Sequence, residues 1–491
     1  MGTTVRQKEV TRMPRFIPAP PEKQQTNDSL SSTPSSRWLA LVLLCVAQFM
    51  VVLDVQVIVI ALPAIQRQFA ITQTDLQWII TAYVLLFGGL LMLAGRAADL
   101  FGRRRFFITG LLLFSFASLG CGLARSETWL IAARALQGLG AACISPSALA
   151  QLTSIFPAGP ERNRALGWWG AAAPLGGVSG LLLGGLLTSG PGWPWVFFIN
   201  VPLGLVGATL SPFILRESRA PGAARLDIAG ALTGTVGLAA LIFGLTQMQS
   251  LGIGAPPTLL ALALALIFLL AFAFIERRVH APLVPFAIFR RRTLTVSILV
   301  SLLLTFLTSP PSFFATLYLQ QIVGASPFLT GLAFLPESLC IAVCSVIGAR
   351  LTTRLGTRRS MVIGMGALLL SMLLLTTLSL GDGYLHALLP GFIVLGFGLG
   401  VGSVAATSAG MARIDDTEQG LVAGLLNTAA QLGTVLGLAL LDIIAATATT
   451  MLKSISGTDI AALIGGFRWA FIVSAAVALA GILITSRSER P

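Results

Sequence analysis

Charge is scarce in this chain: 10% of its 491 residues are Asp, Glu, Lys or Arg, against 55% apolar residues. A soluble domain needs about 25% charged residues to cover its surface, so a water-solvated fold is excluded. Cysteine is equally sparse. Cys45, Cys121, Cys143, Cys340 and Cys344 all fall inside apolar runs, which excludes a disulfide framework in polar loops and leaves them as packing residues. The two histidines sit at no ligand spacing from each other or from a cysteine, so no metal site and no cofactor is expected. There is no Walker-type phosphate loop and no cluster of nucleophile, base and metal ligands. ATP coupling and enzymatic chemistry are therefore not expected. A cleavable signal peptide is also missing, because residues 1–36 are polar and rich in Pro, Ser and Thr; they are predicted to be a disordered cytoplasmic tail.

Long apolar runs fill the rest. A bilayer core about 30 Å thick needs roughly 20 apolar residues per helix. Fourteen runs of that order recur between short polar breaks, the first over about residues 38–63, the fourth over about 128–153 and the last over about 465–486. The pattern predicts an all-α integral membrane protein of about 14 transmembrane helices. The net charge of +13 could suggest nucleic acid, but its distribution is topological. Of 32 Lys and Arg, only Arg67, Arg125, Lys453 and Arg468 fall opposite the termini, and Arg134 lies inside a span. Positive residues stay on the cytoplasmic side during insertion. A multi-pass plasma-membrane protein with both termini in the cytoplasm is expected, and nucleic acid is not an expected partner.

Gly95 to Arg105 overlays Ala349 to Arg359, with Arg96, Gly102, Arg104 and Arg105 recurring at a constant offset of 254 residues (Gly102 to Gly356, Arg104 to Arg358). Each copy joins the second and third helices of a six-helix set. The chain therefore divides into the tail (1–36), a six-helix half (37–215), a linker with two extra helices (216–292) and a second six-helix half (293–491). Parallel six-helix halves are a transporter architecture.

At these residues the sequence resembles the major facilitator superfamily, and the fourteen-helix count resembles its drug:proton antiporter branch. Gly95-x-x-x-Asp99-x-x-Gly102-Arg103-Arg104 is similar to the signature loop of that family. Leu53-Asp54 with Ala61-Leu62-Pro63-Ala64-Ile65 is similar to the first-helix motif of the branch, and Arg134-Ala135-Leu136-Gln137-Gly138-Leu139-Gly140 to its fourth-helix motif. The resemblance implies that Gly95, Asp99, Gly102, Arg103 and Arg104 form a gate-stabilising loop; a purely topological role for the arginines is the alternative. Two features depart from the pattern. Gly180-Leu181-Leu182-Leu183-Gly184-Gly185 lacks the proline of the antiporter motif, and Trp193-Pro194-Trp195 replaces Trp-Arg-Trp.

A charge inside a bilayer costs at least about 2.5 kcal/mol, so each buried ionisable group needs a reason. Asp54 and Arg134 lie at similar predicted depths, roughly 14 and 9 Å from the outer ends of their helices. They are expected to pair, with Asp54 binding the coupling proton and Arg134 tuning its loading and release; a static ion pair is the competing reading. Glu337 lies roughly 15 Å deep, near the midplane, where an unpaired carboxylate favours cationic lipophilic substrates or takes a second proton. A protonated glutamate bonded to a neighbouring helix is the alternative. Gln137 and Gln320 complete the candidate substrate contacts, with an interfacial role open for Gln320. Trp193 and Trp195 read as interfacial belt residues, and Gly176, Gly180 and Gly184 as a close-packing face that would serve equally as a hinge.

These residues point to a secondary active transporter, expected to be monomeric, that exports lipophilic or cationic small molecules in exchange for protons. Uptake or facilitated diffusion of a metabolite stays open because of the missing proline, as does a non-transporting membrane scaffold or sensor.

Overall fold

The computed structural model describes residues 34–71, 73–219, 227–279, 284–325, 327–379, 384–412, 418–453 and 459–487, with a few isolated positions between them. The tail expected over residues 1–36 lies outside these residues until Pro34, where the first helix already begins. Six helices form the first half: α1 (Pro34–Phe69), α2 (Gln73–Phe101), α3 (Arg103–Gly122), α4 (Glu127–Ile155), α5 (Pro160–Ser189) and α6 (Trp195–Ile214). A hairpin of α7 (Ile228–Leu251) and α8 (Pro256–Glu276) follows. The second half comprises α9 (Arg292–Leu317), α10 (Leu329–Leu355), α11 (Thr357–Leu375), α12 (Tyr384–Gly410), α13 (Gln419–Lys453) and α14 (Asp459–Ser486).

Thirteen of these helices are long and apolar enough to cross a membrane. The other is α4, whose 29 residues are diluted by Arg134, Gln137 and Gln151. All three are buried, so α4 carries its polar groups inward. The protein is thus an all-α, multi-pass membrane protein of twelve plus two spans. Several helices run beyond the apolar runs that announce them; α1 continues through Pro63 to Phe69.

Glycine sets how closely the helices approach. A Cβ on Gly176 would meet the Phe49 carbonyl at 2.6 Å, and one on Gly180 the Leu53 carbonyl at 2.8 Å, so this face of α5 lies directly on the backbone of α1. The halves meet along two seams. On one, Gly95 of α2 faces Gly420 of α13, and Gly424 faces Leu91. On the other, Gly167 of α5 packs against Ser345 and Ala349 of α10. The extra hairpin lies over the first seam, where α7 contacts both α2 and α13.

The repeat is visible in the backbone. Gly102 and Gly356 each precede the third helix of their half with positive φ, 110° and 84°, a conformation that disfavours any side chain.

Candidate functional site

α6 starts with a break, because Pro202 has no N–H for the Phe198 carbonyl and its ring crowds that oxygen. Residues 195–198 and 200–214 are therefore separate helical segments joined at Ile199. Asn200 sits at the break and its side chain enters the first half. Arg134 and Gln137, three residues apart on α4, share one face. Gly138 and Gly140 bring that face close to α2 and α3, since a Cβ on Gly140 would meet the Phe114 amide at 2.7 Å.

These elements converge on Asp54. Arg134 donates to Asp54 Oδ2 at 2.6 Å, while Gln137 and Asn200 donate to Oδ1 at 2.7 and 2.8 Å. Ser118 accepts from Gln137 at 3.1 Å and from Asn200 at 3.3 Å. Arg134 also reaches the Gln137 oxygen at 2.7 Å and the Ile79 carbonyl at 3.2 Å, and lies 4.3 Å from the Tyr83 ring centre. Asp54, Arg134, Gln137, Asn200 and Ser118 are all at most 1% exposed. One negative and one positive charge are thus sealed together, each held by further polar groups as a buried pair requires.

Gln137, expected to touch substrate, belongs to this sealed cluster and not to the cavity. Its face of α4 is turned toward α1 and α3. Asn200 and Ser118 were not singled out by the sequence; a lone Asn within an apolar run, beside a helix-breaking Pro, was the available signal.

A separate cavity of about 700 Å³ lies between the halves. From α1 it takes Val52, Gln56, Val59, Ile60 and Pro63, which share one helix face, whereas Asp54 points roughly the opposite way at 100° per residue. The second half contributes Phe313, Gln320, Thr330 and Glu337. Gln320 is exposed and lies in a single π-helical turn, Tyr318–Ile322, a feature frequent at functional sites. Glu337 is 7% exposed, and its carboxyl makes no hydrogen bond or ion pair with any described residue. Glu337 and Gln320 therefore share the cavity, on the side opposite the start of α1.

On the side where α1 starts, the halves are joined. Asp99 accepts from the Gly420 and Leu421 amides at the start of α13, both at 2.9 Å, and from Arg103 at 2.8 Å. Arg103 reaches Gln419 at 3.3 Å, which Thr153 also contacts at 3.0 Å. At the other seam Asn163 donates to Thr353 at 3.0 Å and accepts from Ser408 at 2.5 Å. Thr353 is the repeat equivalent of Asp99, so each half offers a side chain from the end of its second helix to a helix start in the other. Arg104 lies at the edge, donating to the Leu215 carbonyl at 3.2 Å. Trp193 is packed against Phe69 and Phe197 and is 4% exposed, so it is a core residue; Trp195, at 50%, keeps the exposure of a belt residue.

Two six-helix halves around a central cavity, sealed at one end, define a membrane transporter. The family model of the Major Facilitator Superfamily matches residues 44–438, and the chain belongs to that family. It is 41% identical over 453 residues to the puromycin resistance protein pur8 of Streptomyces alboniger, covering 92% of this chain and 90% of that one. It is 37% identical over 418 residues to the cephamycin export protein CmcT of Amycolatopsis lactamdurans, covering 84% and 85%. The fold is shared with the human organic anion transporter MFSD10 (TM-score 0.67, 17% identity, 91% of this chain and 99% of that one). The protein is a secondary transporter of small molecules across a lipid bilayer.

Proposed function

We propose that the protein is a monomeric plasma-membrane antiporter, with both termini cytoplasmic, that exports lipophilic or cationic drug-like molecules in exchange for protons. The observation that carries this reading is the central cavity of about 700 Å³, lined mainly by apolar side chains and holding the unpaired carboxyl of Glu337. Such a wall takes apolar bodies by burial, and a single carboxylate favours a positive charge among them. Outward direction is supported by the relatives whose names describe export and antibiotic resistance.

In this reading the halves, 37–215 and 293–491, rock about the two seams, and Asp54 is the proton carrier. Protonating Asp54 leaves Arg134 unbalanced, so proton loading and rearrangement of α1, α4 and α6 are linked. The test is uptake of a lipophilic cationic dye into inverted vesicles under an imposed pH gradient. Accumulation that an uncoupler abolishes is expected; accumulation indifferent to the gradient would sink proton coupling.

A second reading places the coupling proton on Glu337, because it and not Asp54 faces the cavity. With a neutral lipophilic substrate, Glu337→Gln keeps gradient-driven transport if Asp54 is the carrier and loses it if Glu337 is. In the first case cationic substrates alone are expected to weaken, by about tenfold for each 1.4 kcal/mol of lost attraction.

A further inference from the structure

The repeat allows the described residues of the two halves to be compared position by position. In the first half the start of α3 is covered by Glu217, which follows α6. Its carboxylate accepts from the Arg104 and Arg105 amides at 3.1 and 3.3 Å and lies 3.8 and 3.6 Å from their guanidinium Nε atoms. Arg104 meanwhile caps the end of α6 through the Leu215 carbonyl at 3.2 Å. In the second half Gly356, Arg358 and Arg359 hold the equivalent positions, and Arg358 caps the end of α14 through the Ser486 carbonyl. Among the described residues the arrangement is repeated except for the carboxylate. Beside these residues is a pocket of about 690 Å³ whose lining includes Arg358, Arg359, Thr357 and Ser486 together with Val362 and Ile363.

We propose that this pocket is a binding site for an anionic phospholipid, whose headgroup phosphate takes the place that Glu217 takes in the first half. The first-turn amides of α11 have no intrahelical acceptor and favour an anion, as the equivalent amides of α3 do in bonding Glu217. The two arginines add charge-assisted donors suited to phosphate. Size and wall chemistry select the source. The volume far exceeds one carboxylate, and Val362 and Ile363 run from the basic rim into the span, where an acyl chain lies against apolar side chains. The site is on the same side as the Asp99 seam, so a lipid bound here ties the ends of α11 and α14 together at the face that must open during transport.

A carboxylate from the chain itself is the competing source, since Glu489 lies three residues beyond Ser486 in sequence, as Glu217 lies three beyond Ile214. The experiment is native mass spectrometry of the full chain released from mixed phosphatidylglycerol and phosphatidylcholine, comparing wild type with R358Q/R359Q, I363W and E489Q. Wild type and E489Q are expected to retain one phosphatidylglycerol more than R358Q/R359Q. I363W, which fills the pocket and keeps both arginines, is expected to lose that lipid too, so the result does not depend on the double variant folding. Equal retention by wild type and I363W overturns the proposal. Retention that appears only in E489Q also overturns it, and assigns the pocket to the chain's own carboxylate.

Discussion

Asp54 and Arg134 are balanced only while both are charged and present. Removing one partner of a buried pair leaves an uncompensated charge and costs about 3–5 kcal/mol, whereas replacing both is far milder. Asp54→Asn is therefore expected to lower thermal stability strongly and abolish gradient-driven transport. The Asp54→Asn/Arg134→Gln double variant recovers most of the stability but none of the transport. Unfolding followed by tryptophan fluorescence, beside vesicle uptake, separates these; a single variant as stable as wild type would show that the pair is not sealed. Asn200 has a smaller share. Truncation to Ala removes one of the donors to Asp54 Oδ1, expected to cost about 1–3 kcal/mol and to reduce transport, while Asn200→Gln with wild-type transport would argue against a requirement for its geometry.

Helix contacts extend these effects beyond the cluster. Gly180 presses on the stretch of α1 between Leu53 and Val57, where a Cβ would meet the Leu53 carbonyl at 2.8 Å and the Gln56 Cβ at 2.9 Å. Gly180→Leu is expected to cost about 1–3 kcal/mol by overpacking and to displace both Asp54 and the cavity-lining Gln56, impairing transport. Gly185, on the same helix, has nothing within 4 Å, so Gly185→Leu serves as the control; equal melting temperatures for the two variants would remove the packing argument. Element-scale structure was the most legible from sequence, because bilayer thickness dictates the length of an apolar run. α4 illustrates the limit: its polar residues lower its hydropathy because they point inward, a direction that hydropathy alone does not encode. The Asp54–Arg134 pairing follows from matched depths, but the further members of the cluster, Asn200 and Ser118, depend on the break at Ile199 and on the placement of α3. Neither has a periodic signature. The burial of Trp193 likewise arises from Gln68 and Phe69 at the end of α1, a tertiary contact across 125 residues of sequence.

At the scale of the whole molecule, the cavity and the seams occupy opposite ends, so opening the α1-start end requires parting the seams. Asp99 carries a negative charge at the start of α13, an interaction of roughly 1–2 kcal/mol, whereas the bond that its repeat counterpart Thr353 makes across the other seam, to Asn163, is a neutral one. Loss of the Asp99 charge should therefore shift the population toward a state open on the α1-start side by about 5- to 30-fold. Cysteine accessibility reads this directly in a background stripped of the five native cysteines. With a membrane-impermeant maleimide, Gln320→Cys at the cavity is expected to label rapidly from the outer side, and Val404→Cys, buried at the α5–α12 contact, slowly from the other. Adding Asp99→Asn should reverse the order, slowing the first and speeding the second. Because topology depends on the arginines and not on this acid, both labels would keep their side of the membrane; unchanged rates would show that Asp99 does not hold the gate.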